Sequence, residues 1–311
     1  MANPVLRPAR PAAPRGRRDN PRLFGWSVML PCLIVLLIVG VIPIGYTLYV
    51  SFFKFRFLDS AAPTAFVGLA NFAAGLQDAR FWSSLGRTFV FAGIAIPLEV
   101  IIGLGLAILL NRNIRGKGVV RALLILPYMI SPIVLAAIWK MMYDPQYGVI
   151  NGLLMSAGLI REQMTWLSDP KTALGALIFA TVWQWYPFSF LLLSAGLETI
   201  PAEEYEAAAI DGASGFQSFR YITLPHLLAS FTVLLVVRTI DALKTFALIF
   251  SLTRGGPGTS TELISYYVYQ TTFGDFNVGY GSALGVLLML VMMVVSLWIS
   301  RLLNRAILGE A

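Results

Sequence analysis

The spacing of charges constrains this chain more than any other feature. No Asp, Glu, Lys or Arg stands between Arg22 and Lys54. At about 1.5 Å of rise per residue, a helix of that length outruns the roughly 30 Å of a bilayer's hydrocarbon. It also exceeds the roughly 7–15 apolar residues of a signal-peptide core, so residues 25–49 read as a retained first span. Further runs of sufficient length lie at about 88–110, 119–142, 172–196, 226–252 and 278–300. Hydrocarbon offers no water to backbone N–H and C=O groups, which leaves a helix as the form each run can take. The expected fold class is an all-α membrane protein of six transmembrane helices. A basic arm (1–24) comes first, a connector at 50–87 follows the first span, a core occupies 88–304, and a short tail closes the chain at 305–311.

Composition agrees. The 311 residues could form two soluble domains, but 57% are hydrophobic and 13% charged, against about 45–50% and about 25% in soluble proteins. The net charge of +7 would raise the question of nucleic acid in a soluble chain. Its distribution answers differently, because the arginines of the arm lack the stacking aromatics that single-strand binding uses. The arm (Arg7, Arg10, Arg15, Arg17, Arg18 and Arg22 against Asp19), the segment Arg112, Arg115, Lys117, Arg121, and the tail with Arg301, Arg305 and Glu310 carry +5, +4 and +1. With six spans these segments fall on one side, and the excess of Lys and Arg assigns that side, with both termini, to the cytoplasm. The single cysteine, Cys32, excludes an intramolecular disulfide and reads as an inert thiol in an apolar run.

One connector on the basic side is acidic. Residues 198–225 hold Glu198, Glu203, Glu204, Glu206 and Asp211 against Arg220. Pro201 and the two glutamates suit a first helical turn, Ala207 to Ala209 propagate it, and Gly212 interrupts it. Ser214 with Gln217 is a capping-box pattern for a second helix, expected to stop before Pro225. An amphipathic connector lying on the membrane is the plain alternative. Such helices are usually rich in Lys and Arg, so an acidic finger suits a protein partner better.

The run Glu206-Ala207-Ala208-Ala209-Ile210-Asp211-Gly212-Ala213, followed by Phe219, Ile222, Leu224 and Pro225, resembles the EAA loop of ABC importer permeases. The likeness extends from about Asn71 to the C-terminus. Leu252 to Pro257, Tyr267, Tyr269, Phe273 and Gly279 to Ala283 resemble the carbohydrate-uptake, MalF- and UgpA-like branch. The resemblance implies a type I importer permease fold in a prokaryotic inner membrane. It makes the loop a coupling helix in which Glu206, Ala207, Ala208, Asp211 and Gly212 dock on an ATPase. It also implies a second homologous permease in a heterodimer, two ABC ATPase subunits that hold ATP and Mg2+, an extracytoplasmic solute-binding protein and a carbohydrate substrate. No cofactor is expected on this chain, and no catalytic residue. The phosphate-binding motif G-x-x-x-x-G-K-[ST] is missing; Gly103 and Gly105 are a fragment inside a span, where packing is their expected role. Metal chemistry is not expected either, since His226 is the only histidine.

Ionisable groups at membrane depth need a partner or a wet cavity. Arg238, Asp241 and Lys244 follow one another at helical spacing, so they either neutralise one another or line a polar path. The resemblance implies substrate contacts near Ala242, Lys244 and Thr245. Glu99 follows Pro97, and either pairing with Arg238 or a gating role is open to it. Trp183, Gln184, Trp185, Tyr186 and Phe188 surround Pro187; aromatic faces suit sugar C–H faces and Gln184 suits its hydroxyls, while packing is the competing role. The expected substrate pathway is therefore Trp183, Gln184, Trp185, Phe188, Asp241, Lys244 and Thr245. Connectors 50–87, 143–171 and 252–275 are expected outside, the last with a structural turn at Gly255-Gly256-Pro257. A polyol or glycerol-phosphate-type solute is the runner-up substrate. An ion-coupled secondary transporter or a membrane enzyme are the competing classes, and both leave the acidic loop unexplained.

Overall fold

A computed structural model describes residues 21–111 and 115–308. The arm through residue 20, Arg112 and Glu310 lie outside the described residues, as do the side chains of Arg22 and Arg305. Two compact units are distinguished, Met1–Tyr46 and Thr47–Ala311. The first is helical: α1 (Pro21–Leu36) contains Pro31 and passes through a π turn (Leu37–Val41) into α2 (Ile42–Ser51). Met29–Ser51 is long and apolar enough to cross a membrane, and its large side chains from Met29 to Tyr46 are exposed.

The second unit takes in the last residues of α2 and continues with a short hairpin, β1 (Phe53–Lys54) antiparallel to β2 (Ala65–Phe66), with Phe53 opposite Phe66. Two helices follow, α3 (Ala70–Gln77) and α4 (Ala79–Leu110). Thus α4 starts a good two turns before residue 88, where the apolar run begins. Asp78 caps it, accepting from Arg80 N at 2.8 Å, and the arginines that shorten the apolar run are bound by an acid from the far end of the chain. Glu262 accepts from Arg80 Nε (3.0 Å) and Nη2 (2.6 Å) and from Ser84 Oγ (3.0 Å), while Arg87 Nε donates to its carbonyl (3.0 Å). At about 1.5 Å per residue α4 is about 48 Å long, so it projects beyond any bilayer core.

The expected third span is broken. α5 (Lys117–Met129) and α6 (Pro132–Met142) meet at 95°. Pro132 at the head of α6 drives Ser131 into an extended conformation (φ −57°, ψ 139°), because an X-Pro residue avoids the helical region. After α7 (Val149–Ser156) comes α8 (Ala173–Leu197), which matches the expected fourth span and carries Pro187 inside it.

α9 (Ala202–Ile210) and α10 (Gly215–Ser218) form the helix–glycine–helix finger, with both hydrogen bonds of the Ser214–Gln217 capping box in place. Two details depart from expectation. Pro201 caps α9 rather than entering its first turn. The second helix does not stop before Pro225: a π turn (Phe219–Thr223) leads into α11 (Leu224–His226), in whose first turn the proline's missing N–H costs nothing.

The expected fifth span is also interrupted. α12 (Leu228–Leu243) lies at 62° to the preceding segment, and the chain leaves the helix at Lys244 before resuming as α13 (Ala247–Leu252). The glycine turn then ends it: Arg254 and Gly255 have φ of 51° and 79°, and Gly256-Pro257 is cis. α14 (Ile264–Tyr269) and a π turn (Gln270–Gly274) lead to α15 (Val278–Leu308), which runs past residue 300.

Three apolar clusters hold the second unit. Phe91, Leu135, Trp139, Leu177 and Ile249 join α4, α6, α8 and α13; Leu110, Phe190, Leu193, Leu197 and Leu227 join α4 and α8 to the finger; Phe81, Leu85, Ile264 and Leu284 join α4, α14 and α15. The α4–α8 contact depends on Gly103, where a Cβ would stand 2.6 Å from Ser189 Cβ and 2.7 Å from the Phe190 nitrogen. Gly105 meets open space.

Candidate functional site

Apart from the Glu262 clamp, two regions concentrate polar groups that the apolar clusters do not explain. One is the finger. Glu206, Ala207, Asp211 and Gly212 are exposed and Ala208 is half-buried. Gly212 has φ +76°, a left-handed conformation that a side chain strains, and among the described residues nothing lies within 4 Å of where its Cβ would be. The glycine is therefore required by the backbone, not by crowding within this chain. The finger also presents Ile210, 87% exposed, and Phe216, 74% exposed. The charge pattern of the loop does not point to these two apolar residues. Their signal was present: an Ile and a Phe at the bend of a solvated acidic helix pair have nothing to pack on unless a partner supplies it. The base is fixed by the hydrogen bond between Tyr205 Oη and Thr223 Oγ1 (2.8 Å) and by Arg121 on Glu198 (2.9 Å). Arg121 holds the Glu198 carboxyl below its usual range. His226 Nδ1 lies 2.8 Å from the Ile222 carbonyl, and Nε2 3.4 Å from Glu204.

The second region lies inside the bundle, where α12 faces α4 and α8. Arg238 makes a bidentate pair with Glu99: Nε donates to Oε2 at 2.7 Å and Nη2 to Oε1 at 2.9 Å, with both side chains 1% exposed or less. Of the two roles open to Glu99, the pairing across the bundle is present. The guanidinium also lies 3.9 Å over the Trp185 ring, and Nη1 is 3.8 Å from Asp241. Asp241 in turn holds Lys244 at 2.9 Å. Four charges of alternating sign thus run from the buried Glu99 to Lys244, whose side chain is 60% exposed at the helix break. Thr245 Oγ1 donates to the Asp241 carbonyl (2.8 Å), and Ser265 Oγ donates to the Thr245 carbonyl, which tethers the broken end. Ala242 is wholly buried in the core, so its methyl packs and does not line this polar row.

The residues around Pro187 do not stay together. Trp185 and Phe188 turn toward Arg238 and Tyr128, with Tyr128–Trp185 centroids at 5.3 Å and Tyr128–Phe188 at 5.9 Å. Trp183, two residues away and so on another face, packs on Trp139 at 5.8 Å. Gln184 is buried, and its Nε2 donates to the Ile130 carbonyl at 3.0 Å. That carbonyl is one the α5–α6 break leaves without a helical partner, so this amide secures the break. Tyr186 Oη donates to the Leu124 carbonyl (3.2 Å) on α5. Beyond Lys244 a file of rings continues: Phe246–Tyr269 at 4.7 Å, Phe250–Tyr269 at 5.5 Å and Tyr269–Phe273 at 5.4 Å. Its members lie on α13, α14 and the breaks beside them, so no single run of sequence displays it.

A chain that combines apolar helices, a buried row of charges and an exposed helical finger can be compared with known proteins. Residues 99–309 match the family model described as "Binding-protein-dependent transport system inner membrane component". The trehalose/maltose transport system permease protein MalF of Thermococcus litoralis is 40% identical over 264 residues, covering 85% of this chain and 88% of that protein. The sn-glycerol-3-phosphate transport system permease protein UgpA of Agrobacterium fabrum is 33% identical, covering 92% and 96%. Among solved structures, a bacterial ABC transporter involved in import of the acidic polysaccharide alginate superposes with a TM-score of 0.79 at 24% identity, covering 93% of this chain and 98% of that one. The chain belongs to the inner-membrane components of binding-protein-dependent transport systems and is a membrane-embedded transport subunit with the fold of an ABC importer permease.

Proposed function

We propose that this chain is one of two homologous permease subunits of an ATP-driven importer that moves a carbohydrate through the membrane by alternating access. The observation that carries the reading is the finger, α9 to α11. It stands at one end of the bundle, anchored at its base, and exposes Glu206, Ala207, Asp211, Ile210 and Phe216 at its bend. In the proposed arrangement it enters a cleft on an ATPase subunit. Glu206 meets a basic rim, the alanines permit close approach, and Ile210 and Phe216 supply the apolar contact that holds most of an interface's energy. Two such ATPases hold ATP and Mg2+, this chain holds neither, and their closure swings α8 and α12 through the finger. Six spans follow if each bent helix pair crosses once. The basic segments then put the finger and both termini in the cytoplasm, and an extracytoplasmic binding protein delivers solute to the other face.

The carbohydrate reading draws support from the relative named for trehalose and maltose and from the rings and polar groups around Trp185, Phe188, Asp241, Lys244 and Thr245. Trp183 and Gln184 act in this reading as supports of the pathway wall. The relative named for glycerol 3-phosphate favours an anionic solute as a second reading. The charge row weighs against it, because Glu99 and Asp241 already pair with Arg238 and Lys244.

The test uses the assembled transporter. Glu206→Lys and Gly212→Val are expected to abolish solute uptake while membrane insertion persists and ATP hydrolysis no longer responds to the loaded binding protein. Normal uptake by both variants removes the docking assignment.

A further inference from the structure

Between Asp144 and Arg161 the chain carries no charged residue, although this stretch lies outside the long apolar helices. It contains α7, and an uncharged segment beside a span, too short to cross the hydrocarbon itself, is of the kind that forms re-entrant or interfacial structure. Its large apolar side chains are turned outward: Tyr147 is 87% exposed and Leu159 72%, with Val149, Leu153 and Met155 exposed between them. A soluble surface rarely gathers so many without a partner.

The excursion is nonetheless held in one shape. Asn151 is 3% exposed and uses its whole amide: Nδ2 donates to the carbonyls of Pro145 (3.1 Å) and Met164 (3.0 Å), and Oδ1 accepts from Met164 N (3.3 Å) and Trp166 Nε1 (2.8 Å). Thr172 Oγ1 bonds the Trp166 carbonyl (2.8 Å), and Tyr143 Oη bonds the Ala176 carbonyl (2.9 Å), which ties the excursion to the head of α8. An apolar face presented by a fastened loop is built to stay exposed.

Three observations identify what covers it. The face adjoins exposed Phe179 on α8, a helix of a membrane protein, since Phe179 lines one groove with Leu153 of α7. An apolar groove runs between α7 and the helices α6 and α8, lined by Ile150, Leu154, Trp139, Trp166, Phe179 and Trp183, a composition suited to an acyl chain. Exposed Tyr147 and half-buried Trp166 are of the kind that sits at the level of lipid headgroups. Finally, Lys140, Arg161 and Lys171 are exposed around the stretch. The carboxylates of Asp144 and Asp169 turn to backbone amides of the chain, with Glu162 the remaining acid on this rim. Long Lys and Arg side chains beside an apolar face reach lipid phosphates, while the rim as a whole is neutral, Asp144, Glu162 and Asp169 balancing the three cations.

We infer that residues 145–160 form an interfacial lipid-binding platform: the outward face of α7 and its flanks rests in the headgroup and acyl boundary, and the groove behind it holds one acyl chain of a phospholipid. The Asn151 staple keeps that face in the plane of the interface.

Single cysteines Tyr147→Cys, Leu153→Cys and Leu159→Cys, each on a Cys32→Ser background and carrying a fluorescent label, test this. The chain is co-expressed with its partner subunits and reconstituted in phosphatidylethanolamine and phosphatidylglycerol vesicles that contain spin-labelled phosphatidylcholine. Lipid spin labels are expected to quench all three positions while aqueous iodide fails to. Iodide quenching at Leu153 and Leu159 overturns the inference, and so does protection from both quenchers, which would put a protein subunit on this face. Adding Asn151→Ala is expected to shift the Leu159 label from lipid to iodide quenching with the complex still assembled; unchanged lipid quenching in that variant overturns the role of the staple.

Discussion

Glu99→Gln is the most demanding single test of the charge row. The substitution keeps the size of the side chain and removes its charge. Arg238 then loses its bidentate partner at 2.7 and 2.9 Å, at a site where neither side chain is more than 1% exposed, so solvent offers no compensation. Removing one member of a buried pair costs about 3–5 kcal/mol. Two neighbours moderate the loss: Asp241 stays 3.8 Å away and Trp185 lies 3.9 Å beneath the guanidinium. The low end, about 3 kcal/mol, is therefore expected, which is roughly a hundredfold in the folding equilibrium. Detergent-titration unfolding in mixed micelles, followed by tryptophan fluorescence, measures it. Arg238→Met strands the carboxylate instead and should cost a similar amount. The double variant Glu99→Leu with Arg238→Met removes both charges and should be less destabilised than either single change, since apolar replacements of buried pairs are often neutral. A Glu99→Gln protein within about 0.5 kcal/mol of the parent, or a double variant that costs the sum of the singles, would refute the pairing as a structural unit.

Three further outcomes follow from the same geometry. Gln184→Leu leaves the Ile130 carbonyl bare at the α5–α6 break and should destabilise by about 1–3 kcal/mol in the same unfolding assay; loss of solute binding without any loss of stability would instead make Gln184 a substrate contact. Gly103→Ala places a methyl 2.6 Å from Ser189 Cβ and should cost about 1–3 kcal/mol through separation of α4 and α8; thermal unfolding of the purified chain checks it. Burial tends to raise the Asp78 carboxyl, but hydrogen bonds from Tyr267, Tyr280 and the backbone at Arg80 outweigh it and hold the carboxyl below its ordinary range. A depressed carboxylate stabilises above the unfolded value, about pH 4, and that stability is lost as pH falls through the folded value. Asp78→Asn should therefore flatten the acid limb of a stability-versus-pH curve below about pH 4; a limb unchanged by the substitution rejects the assignment.

Much of the finger was legible in residues 198–225, because every signal there is local. The capping box, the alanines and the positive-φ glycine lie within a few positions of the groups they act on. Ile210 and Phe216 are not legible in the charge pattern, because their exposure is a property of the folded finger. The interior was only half legible. Arg238, Asp241 and Lys244 announce themselves by helical spacing, and two of the links among them exist. The strongest bond in the row is to Glu99, 139 residues away, and spacing carries no information at that range. Gln184 shows the same limit from the other side. An amide among aromatics suits a sugar as well as a bare carbonyl, and only the break at Ile130 tells which partner this chain supplies.

What the sequence determined by itself is where the chain can be apolar and where it must be wet. Hydrocarbon penalises each charge at its own position, so gaps between charges report spans one residue at a time. The helix break at 244–246, the bond of Gln184 to the carbonyl freed at Ile130, the clamp of Arg80 and Arg87 on Glu262, and the joining of Glu99 to Arg238 were decided by the tertiary structure. Each brings together groups far apart in the chain, and a helix can be left, or a charge buried, only where packing delivers a partner for what is exposed.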